Sequence, residues 1–216
     1  MLTFYRIAPA AGGAPAHVVI ILHGLGDSGH GLLSLGESWK AALPDTEFLC
    51  PDAPFPFDGM PMPEARQWFA LRQFTLQEMN DGAKLAAPYL NNFIDTILET
   101  RGLPPEKLAL VGFSQGTLMS LYVGPRRERP VAGILGYSGL LVGSSTLEME
   151  MKSKPPIMLV HGTADDVVPF AAMEPSADVL RKAGIEVETV TCEGTGHGID
   201  ARGISAGLAF LQRVFQ

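Results

Sequence analysis

Apolar residues recur along this chain in two periods. Short β-branched or aliphatic runs at 18–22, 47–50, 108–111, 132–137, 157–160 and 186–191 read as strands. Between them apolar positions fall at helical spacing. Leu32, Leu35, Trp39 and Leu43 form one stripe, stopped by Pro44. Leu85, Tyr89, Phe93 and Ile97 form another, with Leu90, Ile94 and Leu98 beside it and Gly102, Pro104 and Pro105 at its end. Pro88 falls inside that stripe, where it either occupies the first turn of the helix or kinks it. Residues 176–184 carry the caps of a further helix, and Ile204, Leu208, Leu211 and Phe215 share one face of a closing one. Continuous apolar strands alternating with helices predict an α/β fold, a mostly parallel twisted sheet with helices on both faces.

The segment 51–80 breaks this alternation. It is too long for an ordinary crossover and rich in proline, phenylalanine and methionine, so it reads as a structured surface loop. Trp68, Phe57 and Met62, with Phe55, Met60, Phe69, Phe74 and Met79, are candidates for the wall of an apolar substrate pocket. The plainer role for any one of them is to anchor the loop to the core.

The 216 residues, 46% of them hydrophobic, suffice for one substantial core, and no linker-like stretch divides them, so a single domain over 1–216 is expected. A formal charge of -7, with acidic and basic residues interspersed, argues against nucleic acid or an anionic membrane as partner. No run of about 18 apolar residues is present to span a bilayer. The N-terminus lacks the basic and apolar regions of a signal peptide, and Cys50 and Cys192 lie far apart, so a cytoplasmic, reduced protein is expected. A monomer and a homodimer are both compatible with this surface.

Candidate chemistry centres on Gly112-Phe113-Ser114-Gln115-Gly116, which follows the apolar run 108–111 and precedes a helical stretch. In that context GxSxG marks a nucleophile elbow, a strand-to-helix turn that exposes a serine hydroxyl at a strained backbone angle. A serine needs a base, and the base needs a group that holds its tautomer. Of the five histidines, His197 in a glycine-rich loop after the last strand has the required place in the order Ser, Asp, His; a merely solvated loop histidine is the alternative. Asp165 and Asp166 both follow the strand at 157–160, and adjacent side chains in a turn point apart, so at most one reaches His197. Asp165 is favoured, and the other is a turn or cap residue. Oxyanion donors in such a fold are backbone amides: that of Gln115, and one from the loop 23–31, with Leu25 the candidate.

The same loop offers a competing pattern, because Gly24, Gly26 and Gly29 satisfy GxGxxG between a strand and a helix. Against a dinucleotide site stands Asp27, whose charge would lie where a pyrophosphate must sit. A dinucleotide fold also leaves the serine elbow without a purpose.

These residues resemble the phospholipase/carboxylesterase family of α/β-hydrolases, which includes acyl-protein thioesterases and small bacterial carboxylesterases. The resemblance covers nearly the whole chain and rests on HGLGDSGHG at 23–31, PDAP at 51–54, WF at 68–69, GFSQG at 112–116, HGTADDVVP at 161–169 and GH at 196–197. It implies a catalytic aspartate at Asp165 with His197 as base, oxyanion amides at Leu25 and Gln115, and neither metal nor organic cofactor. Thr117 departs from the pattern, since many relatives continue the elbow with a second glycine. The expected activity is serine hydrolysis of carboxylic esters with small to medium acyl chains. Thioesters such as acylated cysteine, or lysophospholipids, are alternatives, as is a catalytically silent fold that binds an apolar ligand.

Overall fold

The computed structural model describes residues 1–59 and 62–216, so Met60 lies outside the described residues. Among the described residues nine strands run in chain order as β1 (Phe4–Ile7), β2 (His17–Leu22), β3 (Thr46–Pro51), β4 (Phe55–Pro56), β5 (Arg66–Gln67), β6 (Leu108–Phe113), β7 (Gly133–Tyr137), β8 (Ile157–Gly162) and β9 (Val187–Cys192). The α-helices are α1 (Leu33–Lys40), α2 (Leu76–Arg101), α3 (Gln115–Val123), α4 (Ser144–Glu150), α5 (Met173–Lys182) and α6 (Ala201–Val214). A seven-stranded sheet has the order β1-β3-β2-β6-β7-β8-β9, parallel except for β1, which pairs antiparallel to β3. The two-residue strands β4 and β5 form a separate hairpin.

The period of two along β2 shows why both faces must be covered. Val18, Ile20 and Leu22 enter one apolar cluster with residues of α2, α3 and α5, whereas Val19 and Ile21 enter the other with residues of α1 and α6. Such a strand reads as a continuous apolar run because neither face meets water. One charge is buried in the sheet: Glu47 on β3, fully covered, pairs with Arg6 on β1 and Arg101 at the end of α2. The edge strand and the longest helix are thereby tied to the same carboxylate. No helix among the described residues is long and apolar enough to cross a membrane.

Helix α2 differs from its expected form. It begins at Leu76, where Thr75 caps it by accepting from the Glu78 amide at 3.2 Å, and ends as expected at Gly102, which adopts a left-handed φ of 64°. Its buried stripe is Ala83, Ala86, Leu90, Phe93, Ile94, Ile97 and Leu98. Leu85 and Tyr89, expected on that stripe, face outward. Pro88 is neither in the first turn nor at a break in the helix. It lies on the exposed side, so the carbonyl its missing N–H leaves free, that of exposed Lys84, meets solvent.

Candidate active site

The candidate residues converge at the carboxyl ends of the parallel strands, the usual place for a site in an open α/β sheet. Strand β6 ends at Phe113 and α3 begins at Gln115, leaving Ser114 to make the whole turn at φ 53° and ψ -118°. A non-glycine residue held there stores about 1–3 kcal/mol of strain. The surroundings enforce it: the Ser114 amide donates to the Tyr137 carbonyl at 2.9 Å, and the Thr117 and Leu118 amides donate back to the Ser114 carbonyl. The turn also needs α3 pressed onto β2. A Cβ on Gly116 would stand 2.0 Å from the Leu22 carbonyl oxygen, so only glycine fits.

Thr117, the departure from the family pattern, is accommodated by its neighbours. Its hydroxyl lies 2.8 Å from both the Gly112 and Tyr137 carbonyls, so it donates to one or the other across the elbow. Its methyl and Cβ occupy space that side chains on Gly136 and Gly139 would otherwise claim: added Cβ atoms there would come within 2.6 and 2.4 Å of it.

His197 stands in the loop between β9 and α6, with 17% of its side chain exposed. Its Nδ1 lies 2.9 and 3.0 Å from the two Asp165 carboxylate oxygens, which assigns Nδ1–H as donor and leaves Nε2 as the free nitrogen. The loop is braced on both sides, by the Ala164 amide on the Thr195 carbonyl at 3.0 Å and by the Thr195 hydroxyl on Asp200, which caps α6. Asp165 accepts further from the amides of Val167 and Val168 at 3.0 and 2.9 Å. Burial raises its pKa, but these bonds outweigh burial and leave the carboxyl below its ordinary value, hence ionised. Asp166 is exposed and is not brought to His197.

His161 has a part that its place at the end of β8 did not announce. Its side chain is almost wholly buried, and its Nε2 lies 2.8 Å from the Val168 carbonyl and 3.3 Å from the second Asp165 oxygen. It holds the turn that carries Asp165 from beneath. The signal was the spacing His161-x-x-x-Asp165 within a strand-end turn.

The loop after β2 carries Leu25, and it is pinned by the segment 51–80. His23, fully buried, donates from Nδ1 to the Gly24 carbonyl at 2.7 Å and accepts at Nε2 from the Ala53 amide at 3.0 Å. Its pKa is lowered chiefly by burial, so the neutral ring is favoured. The Gly26 amide donates to the Arg66 carbonyl on β5 at 2.9 Å, the Arg66 amide donates to the Asp27 carbonyl at 2.8 Å, and the Trp68 indole donates to the His23 carbonyl at 3.1 Å. Among the described residues neither the Leu25 nor the Gln115 amide has a hydrogen-bond acceptor in the protein. The Gln115 side chain is engaged elsewhere, accepting from the Trp68 amide and donating to the Phe69 carbonyl, each at 2.8 Å.

A cavity of about 410 Å³ opens beside Ser114, Gln115, Leu25 and His197. Its far wall is apolar: Leu71, Phe74, Leu76 and Met79 from one side, Leu118 and Leu140 from another, and the turn 167–169. Phe74 and Met79 come from the segment expected to supply such a wall. The three residues placed first there do not line this cavity. Trp68 is fully buried as a brace of the 23–27 loop, and Phe57 packs over Gly26 and faces a neighbouring depression. Met62 is about half exposed on the surface. Phe69 likewise serves the core, its ring lying over Gly82 of α2. The anchoring role holds for these two aromatics, Trp68 as a support of the 23–27 loop and Phe69 as a contact to α2.

Fold and site together define an α/β-hydrolase. The chain belongs to the phospholipase/carboxylesterase family, whose family model matches residues 7–215, and it is a hydrolase of that family. Among curated relatives it is 34% identical to acyl-protein thioesterase 1 of Gibberella zeae over 229 residues, covering 96% of each chain. Among solved structures it is similar to esterase PE8, with 37% identity, a TM-score of 0.94 and 99% of each chain covered. It is also similar to SOBER1 of Arabidopsis thaliana, with 26% identity, a TM-score of 0.83, and 93% of this chain and 99% of that one covered.

Proposed function

We propose that the protein is a serine carboxylesterase that hydrolyses esters of small to medium acyl chain through an acyl-enzyme on Ser114. The observation that carries this reading is the Asp165–His197 pair, whose geometry leaves Nε2 free on the wall of the cavity that Ser114 also lines. His197 Nε2 takes the hydroxyl proton as Ser114 Oγ bonds to the ester carbonyl carbon. The carbonyl electron pair moves onto its oxygen, which the Leu25 and Gln115 amides stabilise; one such donor is worth about 3 kcal/mol. The C–O bond to the alcohol then breaks, and Nε2–H returns the proton to the leaving oxygen. Water repeats the sequence on the acyl-enzyme and releases the acid. Asp165 orients the imidazole and stabilises its charged form.

Thioester hydrolysis is the second reading, favoured by the curated relatives named acyl-protein thioesterase. The same steps serve a thiolate leaving group. Purified wild type and Ser114→Ala, compared on p-nitrophenyl butanoate and on butanoyl thioesters, separate these readings. The expected outcome is turnover of the oxygen ester with higher kcat/KM than the thioester, and loss of about a thousandfold or more in Ser114→Ala. Folded wild type inactive on both would support a non-catalytic binder instead.

A further inference from the structure

A second apolar cleft lies beside Phe113, whose ring neighbours His197, and shares no lining residue with the cavity at Ser114. It measures about 310 Å³ and is lined by Leu32, Ser34, Leu35, Phe113, Ile199 and Ile204. Phe113 precedes Ser114, and its ring centroid lies 4.9 Å from that of His197. Ile199 follows His197 by two residues. Leu32 stands just before α1, Ser34 and Leu35 lie in its first turn, and Ile204 comes from α6, so the walls rest largely on helices packed against the sheet. No charged side chain lines it, and Ser34 is its one polar residue.

We propose that this cleft receives the alcohol portion of the ester, and that the substrates are esters of neutral, apolar alcohols. The inference rests on the esterase reading above. At the reacting carbon, the carbonyl oxygen must face the Leu25 and Gln115 amides, and the leaving oxygen must lie beside His197 to take its proton. The acyl chain fills the cavity bounded by Leu71, Leu118 and Leu140. The substituent on the leaving oxygen then continues past the imidazole, where Phe113 and Ile199 stand. A leaving group bearing phosphate or ammonium would lose hydration there with no countercharge to receive it. An alkyl or aryl alcohol loses only unfavourable contact with water.

The test holds the acyl group constant and varies the alcohol: methyl, butyl and hexyl butanoate, with initial rates followed by pH-stat. These alcohols are similar leaving groups, so kcat/KM differences report contact with the cleft. The expected result is a rise of about ten- to a hundredfold from methyl to hexyl, within what burial of the added methylenes allows. Two variants carry the assignment. Ser34→Trp fills the cleft from an exposed position on α1, and Ile199→Ser makes its wall polar. In both, the hexyl-to-methyl ratio should fall about fivefold or more, with a smaller change in the ratio of methyl octanoate to methyl acetate. Ratios within one preparation do not depend on the folded fraction. A flat alcohol series, or variants that shift the acyl ratio instead, would overturn the cleft assignment while the esterase reading stands. Failure to hydrolyse any ester would remove the esterase reading and the assignment with it.

Discussion

Burial alone would raise the Asp165 carboxyl, and hydrogen bonds from His197 and from the Val168 and Val167 amides reverse that shift. Its stabilising contribution is therefore complete above the ordinary carboxylate pKa and is lost as pH falls through the lowered folded value. Asp165→Asn removes the charge that supports imidazolium and permits the wrong tautomer, so kcat should fall about a thousandfold or more. Asp166→Asn, at an exposed position away from His197, should stay within about twofold of wild type. Steady-state ester hydrolysis by the two variants checks both, and the reverse ranking would exchange the aspartates. His23 has the opposite charge type. Its folded pKa is lowered, so below about 6.5 the unfolded chain binds a proton that the folded chain resists, and stability falls with pH until the folded value is reached. His17 shifts in the same direction, through burial first and Lys107 second. Urea unfolding at pH 7.5 and 5.5 should show lower stability at the acid end, with a smaller loss in His23→Gln. An equal loss in that variant would remove His23 as a source.

At the scale of elements, the elbow depends on fitting α3 against β2, β6 and the turn after β7. Thr117 tests how closely that fit is balanced. Gly139→Ala should destabilise by about 2 kcal/mol, because its methyl meets Thr117 at 2.4 Å. In a Thr117→Gly background the same change should cost less by about 1 kcal/mol or more, although the Ser114 carbonyl 3.1 Å away prevents full relief. Chemical denaturation of the four proteins in the cycle measures the coupling, and strict additivity would mean that the two positions relax independently. The sequence shows the elbow because glycine spacing and strand-to-helix order are local. It does not show the start of α2, where the Thr75-x-x-Glu78 cap lies ahead of the apolar stripe. Nor does it separate the outward Leu85 and Tyr89 from the inward Leu90 and Phe93, because Tyr89 is drawn to Phe55 of the β4–β5 hairpin, at 5.4 Å between ring centroids.

Across the whole molecule, the strands β2, β3, β6, β7 and β8 were legible because burial on both faces leaves each an apolar run, and the half-buried edge strand β9 was legible from its β-branched Val and Thr residues. Strand β1 was not. Tyr5 and Arg6 are exposed, and only Ile7 of its four residues is buried, so an antiparallel edge leaves little hydrophobic signal. The placing of Ser114, Asp165 and His197 after the ends of the parallel strands β6, β8 and β9 was legible from chain order. The cavity wall was legible only in Phe74 and Met79, because the rest depends on which side chains of the 51–80 segment turn toward α2 and which toward the site. Trp68 and Phe69 are equally apolar in either direction, and the bonds that Gln115 makes to their backbone settle it. The central claim is that Ser114 is the residue that becomes acylated. The direct test is to react the folded wild-type protein with an alkyl fluorophosphonate and map the modified peptide by mass spectrometry. The expected result is a single stoichiometric adduct on Ser114, absent from Ser114→Ala and accompanied by complete loss of ester hydrolysis. An adduct on another residue, or full hydrolysis surviving modification of Ser114, would contradict it.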